Sequence, residues 1–196
     1  MAQAPRIAPG SRAEIGAVNA LLATIAGRVA GTAEPPHLFT TLARHRRLFR
    51  RWLRFAGGLM PRGTLPRRDT ELVILRVAAN CSSEYERSHH ARLARRAGLT
   101  ADEIARVAEG PDAPGWSDRD ATLLRAVDEL HAGRRISDPV WAQLAAERSA
   151  VDLIELCLLV GHYEMLAMTI NSLGIQPDEL GARRPSALGR LAGRRR

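Results

Sequence analysis

The stretch ELVILRVAANCSSEYERSHHARLARR (residues 71–96) decides how this sequence folds. Its first half is apolar and rich in β-branched residues, so propensity alone would allow a buried strand. The continuation into alanines, and the lack of a second strand candidate in the chain, favour a helix instead. We predict one helix here, a turn near Asn80 and a second helix over residues 82–97.

Helical signals continue through the rest of the chain with short connections. Apolar residues at helical spacing, with arginines on the opposite face, predict helix over residues 38–59. Capping patterns at Thr100 and Ser149 start two further helices. Residues 150–174 are apolar on most of the helix circumference and predict a central buried helix. The predicted fold class is all-α, a compact bundle of seven or eight helices.

Composition divides the chain into three parts. Residues 1–36 form an N-terminal extension rich in Ala, Gly and Pro, with one predicted helix over residues 11–29. Residues 37–181 form the helical domain. Residues 182–196 contain six arginines and no acid, which predicts a disordered basic tail. Because that tail has no aromatic residue for base stacking, no nucleic-acid partner is expected.

The residue counts also exclude several classes of chemistry. All 29 basic residues are arginines, so no lysine can form the Schiff base of a pyridoxal enzyme or an aldolase. Cys81 and Cys157 belong to no CxxC pair, so neither a disulfide framework nor a zinc knuckle is indicated. No signal-peptide pattern is visible, and no run reaches the ~20 apolar residues of a membrane span. We therefore expect a cytoplasmic protein without a membrane partner.

Candidate catalytic residues cluster in the stretch that decides the fold. On a helix, Ser83, Glu86 and His90 fall at positions i, i+3 and i+7 and share one face. Glu71 faces them if the preceding helix folds back at the turn. Two carboxylates and an imidazole in a partly dry pocket suit general acid–base catalysis, because burial and like charge raise one carboxyl pKa. From spacing alone, an ordinary surface pair of Glu86 and His90 is the simpler interpretation.

A metal site is the competing interpretation of the same residues. Glu86 and His90, with Glu71 or with His162 from the last helix, offer the carboxylate and imidazole ligands found in helical-bundle metal proteins. A di-metal bundle shows two carboxylate–histidine helix motifs, whereas this sequence has one. We therefore expect neither a metal nor another cofactor in the pocket.

Residues 67–107 (RRDTELVILRVAANCSSEYERSHHARLARRAGLTADEIARV) resemble the carboxymuconolactone decarboxylase and alkylhydroperoxidase D superfamily. Residues 161–175 (GHYEMLAMTINSLGI) resemble the closing helix of that superfamily, and the resemblance spans roughly residues 38–180. It implies an all-α alkylhydroperoxidase D-like fold. It also implies a homo-oligomer, a trimer or hexamer, with the active pocket close to a subunit interface.

The peroxidase branch of that superfamily carries a CxxC motif followed by a histidine, with a glutamate on the preceding helix. The resemblance places Ser83 and Glu86 at the two cysteine positions, His90 at the histidine and Glu71 at the glutamate. Both redox thiols are therefore missing, and neither serine nor glutamate can replace their chemistry. Cys81 precedes the motif by two residues and is expected to point to another side of the helix.

What remains resembles the non-redox branch, whose named activity is cofactor-free decarboxylation of a carboxylated lactone. We predict a homo-oligomeric acid–base enzyme of the lyase type that acts on a small carbonyl or lactone substrate. Arg76 or another arginine would hold a substrate carboxylate. The alternatives are a divergent alkylhydroperoxidase-like antioxidant protein and a non-catalytic oligomeric binding protein. The predicted catalytic residues are Glu71, Glu86 and His90, and the predicted substrate contacts are Ser83, Tyr85, His162 and Tyr163.

Overall fold

A computed structural model of the protein describes residues 4–30, 32 and 34–178. Across these residues the chain forms ten α-helices and no β-strand, which confirms the all-α class. The number of helices is larger than the seven or eight that were predicted. The helices are α1 (Arg12–Ile15), α2 (Ala17–Ala30), α3 (His37–Leu42), α4 (Arg46–Leu59), α5 (Arg67–Asn80), α6 (Glu84–Arg96), α7 (Ala101–Arg106), α8 (Asp118–Gly133), α9 (Asp138–Glu147) and α10 (Ala150–Leu173).

Two breaks account for part of the difference in helix number. The single helix predicted over residues 11–29 is divided at Gly16, whose φ of +82° lies in the region that favours glycine. The segment predicted as helical over residues 38–59 is divided into α3 and α4. His45 forms the new N-cap there, and its imidazole Nδ1 accepts a hydrogen bond from the Leu48 amide.

Helix starts follow the capping patterns in most places. At α7 the Thr100 hydroxyl accepts from the Glu103 amide, and the Glu103 carboxylate accepts from the Thr100 amide at 2.7 Å. Helix α5 begins at Arg67, directly after Pro66. Asp69 and Thr70 lie inside its first turn and are buried.

Helices α5 and α10 form the centre of the domain. α5 packs against α6, α8 and α10, and nine of its fourteen residues are buried. Aliphatic side chains make up most of the main core, among them Leu72, Ile74, Leu123 and Leu156. The burial of α10 agrees with the central helix predicted from its sequence. These two helices carry three of the seven residues that the sequence nominated for the active site, and the other four lie on α6 or at its N-cap.

Helix α10 is also long and apolar enough to cross a membrane by length and composition alone. Its most apolar window has a mean hydropathy of 1.5, but 61% of that window is buried inside the domain. A core helix has these properties because its apolar surface is covered by other helices. The cytoplasmic location stays a prediction.

The N-terminal residues pack onto the helical domain. α2 contacts α3 and α4, and the Arg6 amide donates a hydrogen bond to the Leu173 carbonyl at 2.9 Å. The division into residues 1–36, 37–181 and 182–196 stays a prediction. The predicted basic tail lies outside the described residues.

Candidate active site

A cavity of about 270 Å³ lies between α4, α6 and α10, next to the start of α3. Most of its wall is apolar and includes Phe39, Trp52, Leu53, Leu93 and Leu166. Such a wall with a few polar groups is typical of small-molecule sites. Five of the seven residues that the sequence nominated line this cavity, namely Tyr85, Glu86, His90, His162 and Tyr163.

Glu71 does not line the cavity itself but holds a residue that does. It is fully buried on α5, and its Oε2 lies 2.7 Å from Nδ1 of His90 on α6. Its Oε1 lies 2.8 Å from Nη2 of Arg67, one turn earlier on α5. With Nδ1 donating to the carboxylate, Nε2 of the same imidazole is left as the proton acceptor. The arrangement is a carboxylate-oriented histidine, the usual form of a general base.

Glu86 is buried on α6, one helical turn before His90, with 3% of its surface exposed. Within the described part of the chain neither carboxylate oxygen has a hydrogen-bond partner. Burial raises the pKa of Glu86 to about 8, and the nearby Ser83 hydroxyl lowers it by a smaller amount. At neutral pH the side chain is therefore mainly a carboxylic acid, which can donate a proton to a ligand.

His162 and Trp52 place two further polar atoms beside the same cavity. The rings stack with centroids 6.1 Å apart. Nδ1 of His162 and the indole Nε1 of Trp52 are both buried without a partner among the described residues. Burial lowers the pKa of His162 to about 4, so this imidazole is neutral at physiological pH. Neutral groups of this kind orient a ligand by hydrogen bonds without adding charge.

The two tyrosines contribute ring surface, because their hydroxyl groups are already engaged. The Tyr85 hydroxyl accepts from the Leu38 amide at 3.3 Å and donates to Asp178 at 2.5 Å. The Tyr163 hydroxyl contacts the Met60 sulfur at 3.7 Å, and its ring meets His90 edge-on at 5.1 Å. Both residues line the cavity wall mainly with ring surface, and their contact with a substrate stays a prediction.

Asp178 fixes the α6 side of the cavity through several contacts. Its carboxylate accepts from Tyr85 and from the His37 amide, and lies 2.7 Å from Nε2 of His89. Burial disfavours the charged form, but these hydrogen bonds outweigh it and lower the pKa of Asp178. The ring of His89 also stacks on Tyr85 at 4.8 Å.

Ser83 and Arg76 stand apart from the roles that the sequence suggested. Ser83 is the N-cap of α6; it is buried but absent from the cavity wall. Arg76 binds Asp128 through two nitrogens at 2.6 and 2.8 Å and donates to the Val107 carbonyl, away from the cavity. The arginine that lines the cavity is Arg67. The only sequence signal for it is its i, i+4 spacing from Glu71.

Neither cysteine is placed to act as a peroxidatic thiolate in the cavity. Cys81 is the C-cap of α5 and does not line the cavity. Burial, with a smaller effect of the Glu164 and Glu86 carboxylates, raises the pKa of Cys81 to about 11. Burial also raises the pKa of Cys157. Thiols with raised pKa values are poor nucleophiles at neutral pH.

Comparisons with known proteins agree with this architecture. Residues 46–129 match the carboxymuconolactone decarboxylase family. No curated protein sequence matches the chain. An alkylhydroperoxidase AhpD core structure, an uncharacterized peroxidase-related protein from Ralstonia eutropha, superposes with a TM-score of 0.75 at 17% identity, covering 88% of this chain and 93% of its own.

Two other solved structures share the fold. A peroxidase-related protein from Silicibacter superposes with a TM-score of 0.74 at 12% identity, covering 87% of this chain and 92% of its own. The debrominase Bmp8 superposes with a TM-score of 0.70 at 12% identity, covering 89% and 92%. These likenesses confirm the alkylhydroperoxidase D-like fold. Fold alone does not define the chemistry of a site, so function is argued from the residues.

Proposed function

We propose that this chain is an acid–base enzyme related to the carboxymuconolactone decarboxylase family, whose model matches residues 46–129, and that it acts on a small carbonyl or lactone substrate. The observation that carries the proposal is the pairing of two groups on adjacent turns of α6. His90 is oriented as a base by Glu71, and Glu86 is a buried acid without a partner among the described residues. Both line one apolar cavity.

The chemistry that these residues support is enolisation with or without loss of CO₂. In proton abstraction, Nε2 of His90 takes the proton next to a carbonyl, and the C–H electron pair becomes the C=C bond of an enol. Glu86 donates its proton to the carbonyl oxygen as that bond forms. In decarboxylation the C–CO₂ bond supplies the electron pair instead and CO₂ leaves; Glu86 then gives its proton to the enolate carbon and regains a proton from solvent, while His90 stays neutral.

The cavity also suggests how a substrate is held. Arg67 supplies a cation at the wall and can pair with a substrate carboxylate while it remains close to Glu71. The neutral imidazole of His162 and the indole of Trp52 supply polar contacts in an otherwise apolar wall. A small carbonyl compound or lactone with one carboxylate matches this set of groups.

The antioxidant alternative is less well supported by the same geometry. The resemblance to the peroxidase branch places Ser83 and Glu86 at the positions of its two redox thiols, and the thiol of Cys81 lies outside the cavity wall. A peroxidase would need a thiolate in contact with the substrate. A non-catalytic binding protein would hold its ligand in the same cavity, so the test must measure turnover and not only binding.

Deuterium exchange in D₂O tests the proposal without a known product. We expect the wild-type protein to exchange the enolisable hydrogens of some members of a panel of small keto acids and carboxylated lactones, measured by NMR. His90→Gln should abolish exchange, because the amide cannot accept the proton, while His45→Gln, an exposed histidine on α4's N-cap, should leave it unchanged. Equal exchange by the two variants would reject the assigned base.

We further propose that the protein is a homo-oligomer, a trimer or hexamer. The outer face of α10 exposes five large apolar side chains at helical spacing, Val151, Ile154, Leu158, Met165 and Met168. A contiguous apolar face of this kind marks an interaction surface. Light scattering should give a mass of three or six chains, and Leu158→Glu should lower it. A wild-type protein that is monomeric at every concentration would contradict the proposal.

A further inference from the structure

Outside the cavity, Cys81, His131 and Glu164 bring three metal-ligating atoms together. They come from the C-cap of α5, the last turn of α8 and the middle of α10. Cys81 Sγ lies 3.9 Å from His131 Nδ1, which lies 2.7 Å from Glu164 Oε1. All three ligand atoms lie within 4.8 Å of one another.

We propose that Cys81, His131 and Glu164 form a zinc-binding site with a fourth position open to water. A thiolate, an imidazole and a carboxylate are the three ligand types that zinc takes in proteins. Calcium and magnesium prefer oxygen ligands alone, so this mixed set favours zinc over either of them. The site is separate from the proposed acid–base chemistry, and none of its three residues lines the cavity.

The distances fit a tetrahedral ion after a small adjustment. Zinc–ligand bonds of 2.0–2.3 Å place neighbouring ligand atoms roughly 3.3–3.7 Å apart. The 3.9 Å distance between Cys81 Sγ and His131 Nδ1 is already near that range. The 2.7 Å distance between His131 Nδ1 and Glu164 Oε1 must increase by less than about 1 Å. His131 has a side chain that is 37% exposed, so it has room to move.

Charge and protonation balance in the same arrangement. The ion binds a thiolate and a carboxylate, and the Cys81 thiol releases its proton to solvent. Coordination through Nδ1 requires His131 to carry its ring proton on Nε2. The hydrogen bond between His131 and Glu164 is then replaced by two bonds to the ion.

Neighbouring residues support the three ligands. Arg134 Nη1 lies 2.8 Å from Glu164 Oε2, which holds the carboxylate with Oε1 turned to His131. The positive charge of Arg134 reduces the attraction of this site for a metal cation. Asn171 Nδ2 donates to the Cys81 carbonyl at 2.9 Å and ties that backbone to α10. Such supporting contacts set ligand orientation in metal sites.

An ion at this position would add a further link among three helices that already meet through side-chain packing and hydrogen bonds. The turn from Cys81 to Ser83 leads directly into α6, which carries Glu86 and His90. Zinc would therefore stabilise the folded protein by binding to it and not to the unfolded chain.

The test uses the full-length protein, stripped with a chelator and dialysed, with zinc and cobalt as probes. Calorimetry should give one zinc per chain, and cobalt should give the near-ultraviolet charge-transfer band of a thiolate ligand. Cys81→Ser should remove the band and weaken zinc binding by at least about 10-fold. Loss of a residue that only supports a ligand already weakens metal binding by about 10- to 100-fold, so loss of a ligand should cost at least as much. Cys157→Ser, which changes the other half-buried free thiol, should keep both.

A second variant protects the test against misfolding. His131→Gln changes a partly exposed side chain and should weaken zinc binding while circular dichroism and the thermal midpoint without zinc stay unchanged. Zinc should raise the thermal midpoint of the wild type and of Cys157→Ser, but not that of Cys81→Ser. Zinc binding of equal strength in the wild type and in Cys81→Ser would overturn the proposal, as would a cobalt spectrum without the thiolate band.

Discussion

Replacing Glu86 with glutamine is expected to lower kcat by about 10²- to 10⁴-fold, the usual contribution of a positioned general acid. The amide has nearly the same shape and can still donate a hydrogen bond, but it has no transferable proton. KM should change much less, because the apolar wall that binds the substrate is untouched. Activity on a substrate found by the exchange assay, measured as kcat and KM separately, checks this result.

The control for this variant is Glu84→Gln on the same helix. Glu84 is exposed and paired with Arg87 at 2.7 Å, so the change removes a carboxylate of the same helix without touching the cavity. Wild-type activity should also fall above the Glu86 pKa of about 8, since the acid is then ionised. If Glu86→Gln and Glu84→Gln keep the same kcat, Glu86 is not the acid.

The same variant should change stability in a pH-dependent way. Burial raises the folded-state pKa of Glu86 from its ordinary value of 4.5 to about 8. Between these values the folded state holds a proton that the unfolded chain has lost, so the stability of the wild type falls as the pH rises. Below pH 4.5 the difference in the free energy of unfolding between the wild type and Glu86→Gln should be constant. Between pH 4.5 and about 8 the stability of Glu86→Gln should rise relative to that of the wild type, by an amount on the order of a few kcal/mol.

Local patterns predicted the all-α class and the approach of Glu71 to His90, but not the helix breaks at Gly16 and His45. The turn after Asn80 brings α6 back along α5, and a helical period then places Glu71 opposite His90. Both steps depend on residues close in the chain, which periodicity and spacing describe well. Glu86 follows from the same spacing, but its raised pKa depends on the surrounding burial, which no local pattern contains.

Contacts between distant segments could not be predicted from the sequence. The Tyr85 hydroxyl is engaged by Asp178, 93 positions later, so its predicted role as a polar substrate contact depends on a residue far along the chain. The sequence predicted that Arg76 could hold a substrate carboxylate, but in the structure Arg76 binds Asp128 of α8. In both cases the partner is decided by the packing of helices, and helix packing depends on side-chain surfaces that spacing does not encode.

The cysteine shows the same limitation in another form. A regular helix through residues 82–97 predicted only that Cys81 would point away from Ser83. In the structure Ser82 has a φ of +51°, and the chain turns between α5 and α6. Cys81 therefore ends one helix and does not begin the next, which brings its thiol to His131 on α8. The neighbours of this thiol therefore depend on where α5 ends and on how α5 packs against α8.

Replacing Asp69 with alanine is expected to lower the free energy of unfolding by about 3–5 kcal/mol, the cost of breaking a buried ion pair. Asp69 is buried at the start of α5 and binds two arginines from elsewhere in the chain. Arg119 of α8 lies 2.5 and 3.0 Å from its two oxygens, and Arg148, just before α10, lies 2.9 Å from one of them.

The reason for the large effect is the position of Arg148. Its side chain is only 5% exposed, so loss of the carboxylate leaves a buried cation without its counter-charge. Arg119 is 39% exposed and can be solvated instead. Asp112→Ala is the control, because Asp112 is 87% exposed in its pair with Arg125 and such pairs contribute about 0–1 kcal/mol. Equilibrium unfolding in urea at several protein concentrations measures both variants; equal losses would show that the Asp69 cluster contributes no more than a surface pair.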